Sequence, residues 1–129
     1  MSRIYRPGGP AVPPPLSRPG ANPSRAYTGA MIIVTGAIQA RLDTLDELRR
    51  LSLEHVARSR AEPGCLEHGV AIDGNDGLRL VFFERWADRE SLLAHFKLPA
   101  SREFAAQAGR LAAHPPELAA YEASDMALR

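Results

Sequence analysis

The amino-acid sequence predicts an α+β domain of the ferredoxin-like plan, β-α-β-β-α-β, an antiparallel sheet with helices on one face. Three observations predict it. A β-branched apolar run, Met31 to Ile38, opens the folded part. Two further strand-like runs flank the turn-forming stretch Asp73-Gly74-Asn75-Asp76-Gly77. Helical apolar spacing fills the interval on each side of that pair. Taken in order, these elements make a split β-α-β arrangement.

Each element has its own local reason. The first strand is almost continuously apolar, which suits a strand covered on both faces. Asp43 or Thr44 can cap a helix from Leu45, and Asp46 and Glu47 in its first turn complement the helix dipole. The apolar side of that helix runs Leu45, Leu48, Leu51, Ser52, His55 and Val56, and Pro63-Gly64 lies beyond its end. Cys65 to Asp73 reads as the second strand, with Leu66, His68, Val70 and Ile72 on one face. The next turn, rich in Gly and Asn, tolerates left-handed conformations and marks a hairpin. Leu78 to Ala87 forms the third strand. Asp88 can cap a second helix that turns Leu92, His95 and Phe96 inward, and Pro99 interrupts it. A further helical stretch, Ser101 to Ala113, uses Phe104, Ala108 and Leu111. Leu118 to Ala123 is the last strand. The strands look apolar on both faces, yet helices are available for one. A second copy of the sheet would cover the other, so a homodimer is expected.

Composition divides the 129 residues into two unlike parts. Residues 1–30 hold four arginines, no acid and seven of the 11 prolines. This Pro/Arg-rich stretch is expected to be a disordered extension, with the domain running from 31 to 129 and Met31 a candidate start of the folded unit. Its prolines spoil an amphipathic targeting helix, and four dispersed arginines make a poor nucleic-acid arm. Without them the chain carries 12 basic against 15 acidic residues, a net of −3. No apolar run approaches the roughly 18 residues of a membrane span. The lone Cys65 excludes an internal disulfide and a multi-cysteine zinc site, and suits a cytoplasmic location. No partnership with nucleic acid or membrane is expected.

The stretch Glu62-Pro63-Gly64-Cys65-Leu66, then Phe83-Glu84-Arg85-Trp86, then Asp88 to Phe96 with Leu93-Ala94-His95, and finally Arg102-Glu103-Phe104 together resemble the antibiotic biosynthesis monooxygenase (ABM) domain family of the dimeric α+β barrel superfamily. The resemblance covers Met31 to about Ala123. It implies a dimer and a cofactor-free oxygenase acting with molecular oxygen on an aromatic, quinol or polyphenol-like molecule. It also admits an isomerase, or a ligand-binding or stress-associated dimer without turnover. A haem-degrading branch of the family uses an asparagine on strand one, a tryptophan on the second helix and a histidine beyond it. Here strand one lacks the asparagine, His95 stands at the tryptophan's place, and Ala105-Ala106-Gln107 occupies the ligand region, so haem breakdown is not expected.

His55 and His95 lie on the apolar sides of two helices that cover the same sheet face, so both imidazoles should point into one layer. Two buried titratable rings beside an apolar cleft make a general-base site, and His95 is the preferred base with His55 assisting. The plainer alternative for each is a packed ring with one carbonyl partner. His68 could line the pocket or a dimer surface, and the plainer alternative is a structural residue. Glu84 and Trp86 share one face of strand three and Arg85 the other, and which face meets the helices is left open. In the pocket, Glu84 would raise the basicity of a nearby histidine and Trp86 would form an aromatic wall. Otherwise Glu84 would pair with an arginine at a dimer seam. Tyr121 could donate to a substrate oxygen or be a core residue, and Phe96 adds apolar lining. Cys65 is a packing residue and His114 a loop residue. No His-Glu-x-x-His run or comparable spacing is present, so metal ligation is set aside. There is no phosphate loop or nicotinamide fingerprint, so the substrate itself would supply the electrons.

Overall fold

In the computed structural model, which describes residues 30–128, seven elements run in the order β1 (Met31–Gln39), α1 (Leu45–Arg60), β2 (Cys65–Asp73), β3 (Asp76–Trp86), α2 (Arg89–Lys97), α3 (Pro99–Leu111) and β4 (Glu117–Ala123). The strands form one sheet in the order β2-β3-β1-β4 with every neighbour antiparallel. This is the expected ferredoxin-like plan. All but the last residue of the expected 1–30 extension lies outside the described residues. No helix among the described residues is long and apolar enough to cross a membrane.

Strand β3 shows which face the helices cover. Leu80, Phe82, Glu84 and Trp86 are buried, whereas Val81, Phe83 and Arg85 are half-buried on the opposite face. Leu80 and Phe82 pack with Ile38, Leu48, Val56 and Ala108, drawing α1 and α3 onto the sheet. Trp86 packs with Ile32, Val34 and Leu92, drawing in α2, and half-buried Cys65 lies against this second cluster. The face with Glu84 and Trp86 is therefore the inner one.

Four local expectations are revised. Leu66 does not share the inner face as a regular strand residue. A register shift between Cys65 and Glu67 places Cys65 opposite Trp86, and Leu66 is the extra residue of the irregularity. Ile72 keeps its register opposite Leu80 but is 40% exposed near the hairpin end. The hairpin does not use left-handed residues. Asp73 Oδ1 accepts from Asn75 N at 2.9 Å and Asp76 Oδ1 from Leu78 N at 2.9 Å, so carboxylate turns shape it. Phe96 is not an inward residue, being 40% exposed beyond the turn that carries Leu92 and His95 inside.

The helix caps divide the same way. Asp88 accepts from Ser91 N at 2.8 Å as an N-cap should. Thr44 is the cap residue of α1, but its side chain makes no cap bond. Its hydroxyl instead donates to Leu111 O at 2.8 Å and accepts from Arg41 N at 2.9 Å, tying the start of α1 to the end of α3. Pro99 ends α2 and occupies the first turn of α3, where a missing N–H costs no helical hydrogen bond.

One turn between α1 and β2 requires a glycine. Gly64 has φ 84°, the one positive φ among the described residues. Cys65 N donates to Glu62 O at 3.2 Å across it, the pattern of a turn with Pro second and Gly third. Ala87 N donates to Gly64 O at 2.8 Å, which fastens this turn to the end of β3. Gly64→Ala should lower stability by about 1–2 kcal/mol in urea unfolding. Gly74→Ala, with open space around the new methyl and an ordinary φ, should change it by less than about 0.5 kcal/mol.

Candidate functional site

Three imidazoles meet between the sheet and the helices. His55 comes from α1, where Leu48, Leu51, Ser52, Val56 and Ser59 share its buried face. His68 comes from β2, opposite Glu84 of β3. His95 comes from α2, where Leu92 is its buried neighbour. Their ring centroids lie 5.3 Å (His55–His68), 5.2 Å (His55–His95) and 5.6 Å (His68–His95) apart. One ring nitrogen from each can be chosen so that all three lie within 4.8 Å of one another. The two helix-borne rings do share one layer, as expected, and His68 joins them.

Aromatic side chains wall the cluster. Trp86 sits 4.7 Å from His95 and 6.2 Å from His68, centroid to centroid. Phe104 of α3 stacks on His55 at 4.2 Å with an interplanar angle of 8°. Trp86 belongs to one apolar cluster and Phe104 packs against the other, so the histidines join the two halves of the core. On the outer side of Phe104 lies a surface cavity of about 120 Å³ lined by Leu51, Glu54, Arg58, Ala100, Glu103, Phe104 and Gln107.

Two carboxylates reach the cluster. Glu62, on the turn held by Gly64, places Oε1 2.8 Å from His95 Nδ1, and Ser101 Oγ lies 3.4 Å from the same nitrogen. With the carboxylate accepting, Nδ1 carries the proton, and in the neutral form of the ring Nε2 holds the lone pair. Glu84 accepts from the Trp86 indole N–H at 2.8 Å through Oε1. Its Oε2 lies 3.4 Å from His68 Nε2, an ion-pair distance without hydrogen-bond alignment. Both ring nitrogens of His68, only 1% exposed, and the Ser52 hydroxyl have no hydrogen-bond partner. Arg60 Nε donates to His68 O at 2.8 Å, fixing the β2 backbone against the end of α1.

Burial acts strongly on the titrating groups. Desolvation, reinforced by the electrostatic influence of His68 and His95, lowers the His55 pKa to about 3, so this ring is neutral at pH 7. Burial pushes the Glu84 carboxyl up, but His68, the Trp86 N–H and His95 together outweigh it, and Glu84 titrates below its ordinary range. Desolvation also raises the Cys65 thiol to about 12, so Cys65 is an inert packing residue.

The other candidates are placed elsewhere. Tyr121 lies opposite Ile33 on the outer sheet face and is 55% exposed, so it is neither in the pocket nor in the core. Its strand-four position put it on the sheet, but register decided the face. Phe96 lies at the exposed margin of the cluster, its ring 5.8 Å from His95. The alternative pairing of Glu84 with an arginine gives way to His68 and Trp86, while Arg85 pairs with Glu67 at 2.9 Å on the outer face. His114 is exposed in a loop. Sequence reasoning missed Glu62, Ser52, Ser101 and Phe104 as site residues. Glu62 carried a signal, since it opens the one Pro-Gly turn beside a strand.

The fold and site define a class, small α+β domains of ABM type. The chain belongs to the antibiotic biosynthesis monooxygenase family, whose profile it matches over residues 31–107. It is 33% identical over 94 residues to the uncharacterised protein sll1783 of Synechocystis, a match that takes in 73% of this chain and 64% of that protein's length. It is 32% identical over 84 residues to Rv0793 of Mycobacterium tuberculosis, named as a candidate monooxygenase, covering 65% of this chain and 82% of that one. The solved structure of Rv0793 superposes with a TM-score of 0.71 at 28% identity, over 77% of this chain and all of that chain. A candidate antibiotic biosynthesis monooxygenase from Deinococcus radiodurans shares the fold with a TM-score of 0.72 at 23% identity, over 76% of this chain and 97% of that one.

The lowered His55 pKa sets a direction for stability in chelator-treated protein. A folded pKa below the unfolded value near 6.5 means the unfolded chain binds the extra proton first. Folding stability should hold above pH 6.5 and fall as pH drops toward 3, by at most about 1.4 kcal/mol per pH unit from this ring. Urea unfolding between pH 4 and 8 should show that slope reduced in His55→Phe.

Proposed function

We propose that this chain is an ABM-type monooxygenase acting on a small aromatic, quinol or polyphenol-like molecule, with the chemistry centred on His95 and His55. The observation that carries the reading is the gathering of three imidazoles and two carboxylates from α1, β2, β3, α2 and the Glu62 turn inside an apolar layer. The family assignment and the name of Rv0793 support it.

In this reading, His95 Nε2 takes a proton from the substrate while Glu62 holds the opposite side of the ring and stabilises the imidazolium. His55, neutral in its buried setting, assists as a second acceptor. Glu84, its geometry held by Trp86, stabilises positive charge on His68. An electron-rich carbanion then reduces oxygen directly. For a ring CH₂ converted to a carbonyl, the carbon loses four electrons, one oxygen atom enters the product and the other leaves as water. Phe104 separates the surface cavity from His55, so its displacement would open a route to the rings.

Oxygen uptake with a panel of hydroquinones and anthrones tests this directly. The parent chain should turn over at least one of them, and His95→Ala should lose about a hundredfold or more of kcat. Equal rates in parent and variant would remove His95 from the mechanism. Product formed without oxygen would identify an isomerase instead, and tight binding with no turnover a ligand-binding dimer.

The reading includes a homodimer formed through the outer sheet face. Ile33, Val81, Phe83 and Tyr121 present an apolar centre there, with Arg85–Glu67 and Arg79–Glu117 ion pairs at its margins. Light scattering should report twice the chain mass for the parent at micromolar concentration and a single chain for Phe83→Glu. A monomeric parent would exclude the dimer.

A further inference from the structure

We propose that His55, His68 and His95 form a binding site for one divalent first-row transition-metal ion, with Glu62 and Glu84 as the carboxylates that orient two of the ligands. This goes beyond the proton-transfer reading above and does not depend on it. The set consists of imidazoles alone, the ligand type suited to zinc, copper, iron, cobalt and nickel rather than to magnesium or calcium.

Four observations converge. The first is proximity: three ligand nitrogens from three different elements lie within 4.8 Å of one another. Three nitrogens around a zinc-sized ion at about 2.0–2.1 Å stand roughly 3.4 Å apart, so closure needs shifts on the order of an ångström. The second is the state of His68, whose two buried ring nitrogens have no hydrogen-bond partner. A buried polar group of this kind calls for a ligand. The two rings nearest it, His55 and His95, are themselves candidate ligands.

The third is the outer shell. His95 Nδ1 is held by the Glu62 carboxylate at 2.8 Å, which leaves Nε2 with the lone pair. A carboxylate behind a histidine is the usual way to fix the tautomer of a ligating ring. Glu84 Oε2 stands 3.4 Å from His68 Nε2, near enough to orient that ring by charge though not aligned as a hydrogen bond. The Trp86 N–H anchors the other oxygen of Glu84, and Phe104 stacked on His55 sets the third ring. The fourth is charge. Among the described residues, Glu62 and Glu84 have ion pairs with these histidines and with no lysine or arginine. A divalent cation would balance the charge of these two inward carboxylates. Three protein ligands leave a coordination position open to a small molecule.

Sequence spacing excluded this reading, because His55, His68 and His95 stand 13 and 27 residues apart. The fold removes that objection by bringing an α1, a β2 and an α2 residue to one point.

The test uses the full chain, tag-free, stripped with chelator and handled without oxygen or substrate. Titration with cobalt(II) should saturate at one ion per chain with visible bands of a four- or five-coordinate site, and one equivalent of zinc(II) should displace it. Proton NMR of the cobalt form should show three of the four histidine rings shifted by the ion, a readout that needs no variant. His55→Ala, His68→Asn and His95→Ala should each weaken binding at least a hundredfold. Glu62→Gln should weaken it about 10–100-fold. Circular dichroism and melting establish that each variant is folded. His114→Ala should bind as the parent does. Only six-coordinate aquo-cobalt bands, absence of shifted rings, or undiminished affinity in the folded histidine variants would overturn the site. Ring nitrogens cannot serve as base and ligand at once, so the oxygen-uptake assay is run on stripped and reloaded protein. Binding and turnover therefore stand or fall separately.

Discussion

A buried imidazole must have its nitrogens satisfied, and this domain buries three of them side by side. That requirement organises the layer between sheet and helices. Two of the apolar side chains around it, Trp86 and Phe104, have aromatic faces that tolerate imidazole edges and planes. The cluster lies between two apolar groups, one that Phe104 packs against and one that contains Trp86. A protein selected for stability alone would fill this space with leucine or valine, because unpaired polar atoms in an apolar layer weaken the fold. Three histidines stand there instead, with His68 unsatisfied, and the proposed proton transfer and metal binding both start from that observation.

The means by which the rings are held are spread over several elements. Gly64 accepts a left-handed φ so that Glu62 turns back under α2, and its carbonyl is fixed to Ala87 at the end of β3. The irregularity at Leu66 restores the register that sets His68 opposite Glu84. Arg60 spans from the end of α1 to the His68 carbonyl, and Ser59 bonds back to the His55 carbonyl at 2.7 Å. These contacts fix the backbone from which the rings project. Proton transfer and metal ligation both need that degree of preorganisation.

Much of the fold was legible because its cues are local. The β-branched run at Met31, the apolar spacing of Leu48, Leu51 and Val56, and the Asp88 cap each act within a few residues. The site was legible in part for the same reason. His55 and His95 announced themselves by sitting on apolar helix faces, and the plan of the fold put both faces on one side of the sheet. The inner set of β3 could not be read from its alternation, since Glu84 and Trp86 on one side and Phe83 and Arg85 on the other look equally buried. Thr44 resembled a simple cap, but a contact with Leu111, 67 residues away, took over its hydroxyl. Tyr121 and Phe96 were misplaced because strand register and helix rotation are set by packing partners distant in sequence.

The sequence by itself determined the element order, the family, and the presence of titratable groups on core-facing surfaces, all of which derive from periodicity and short motifs. Only the tertiary structure decided that His68 joins His55 and His95, that Glu62 stands behind His95, and that Glu84 faces inward beside Trp86. The physical reason is distance along the chain. Pairing across strands, a one-residue register shift and the docking of helices fix positions to within an ångström or so, and none of these leaves a mark on the spacing of the residues they bring together.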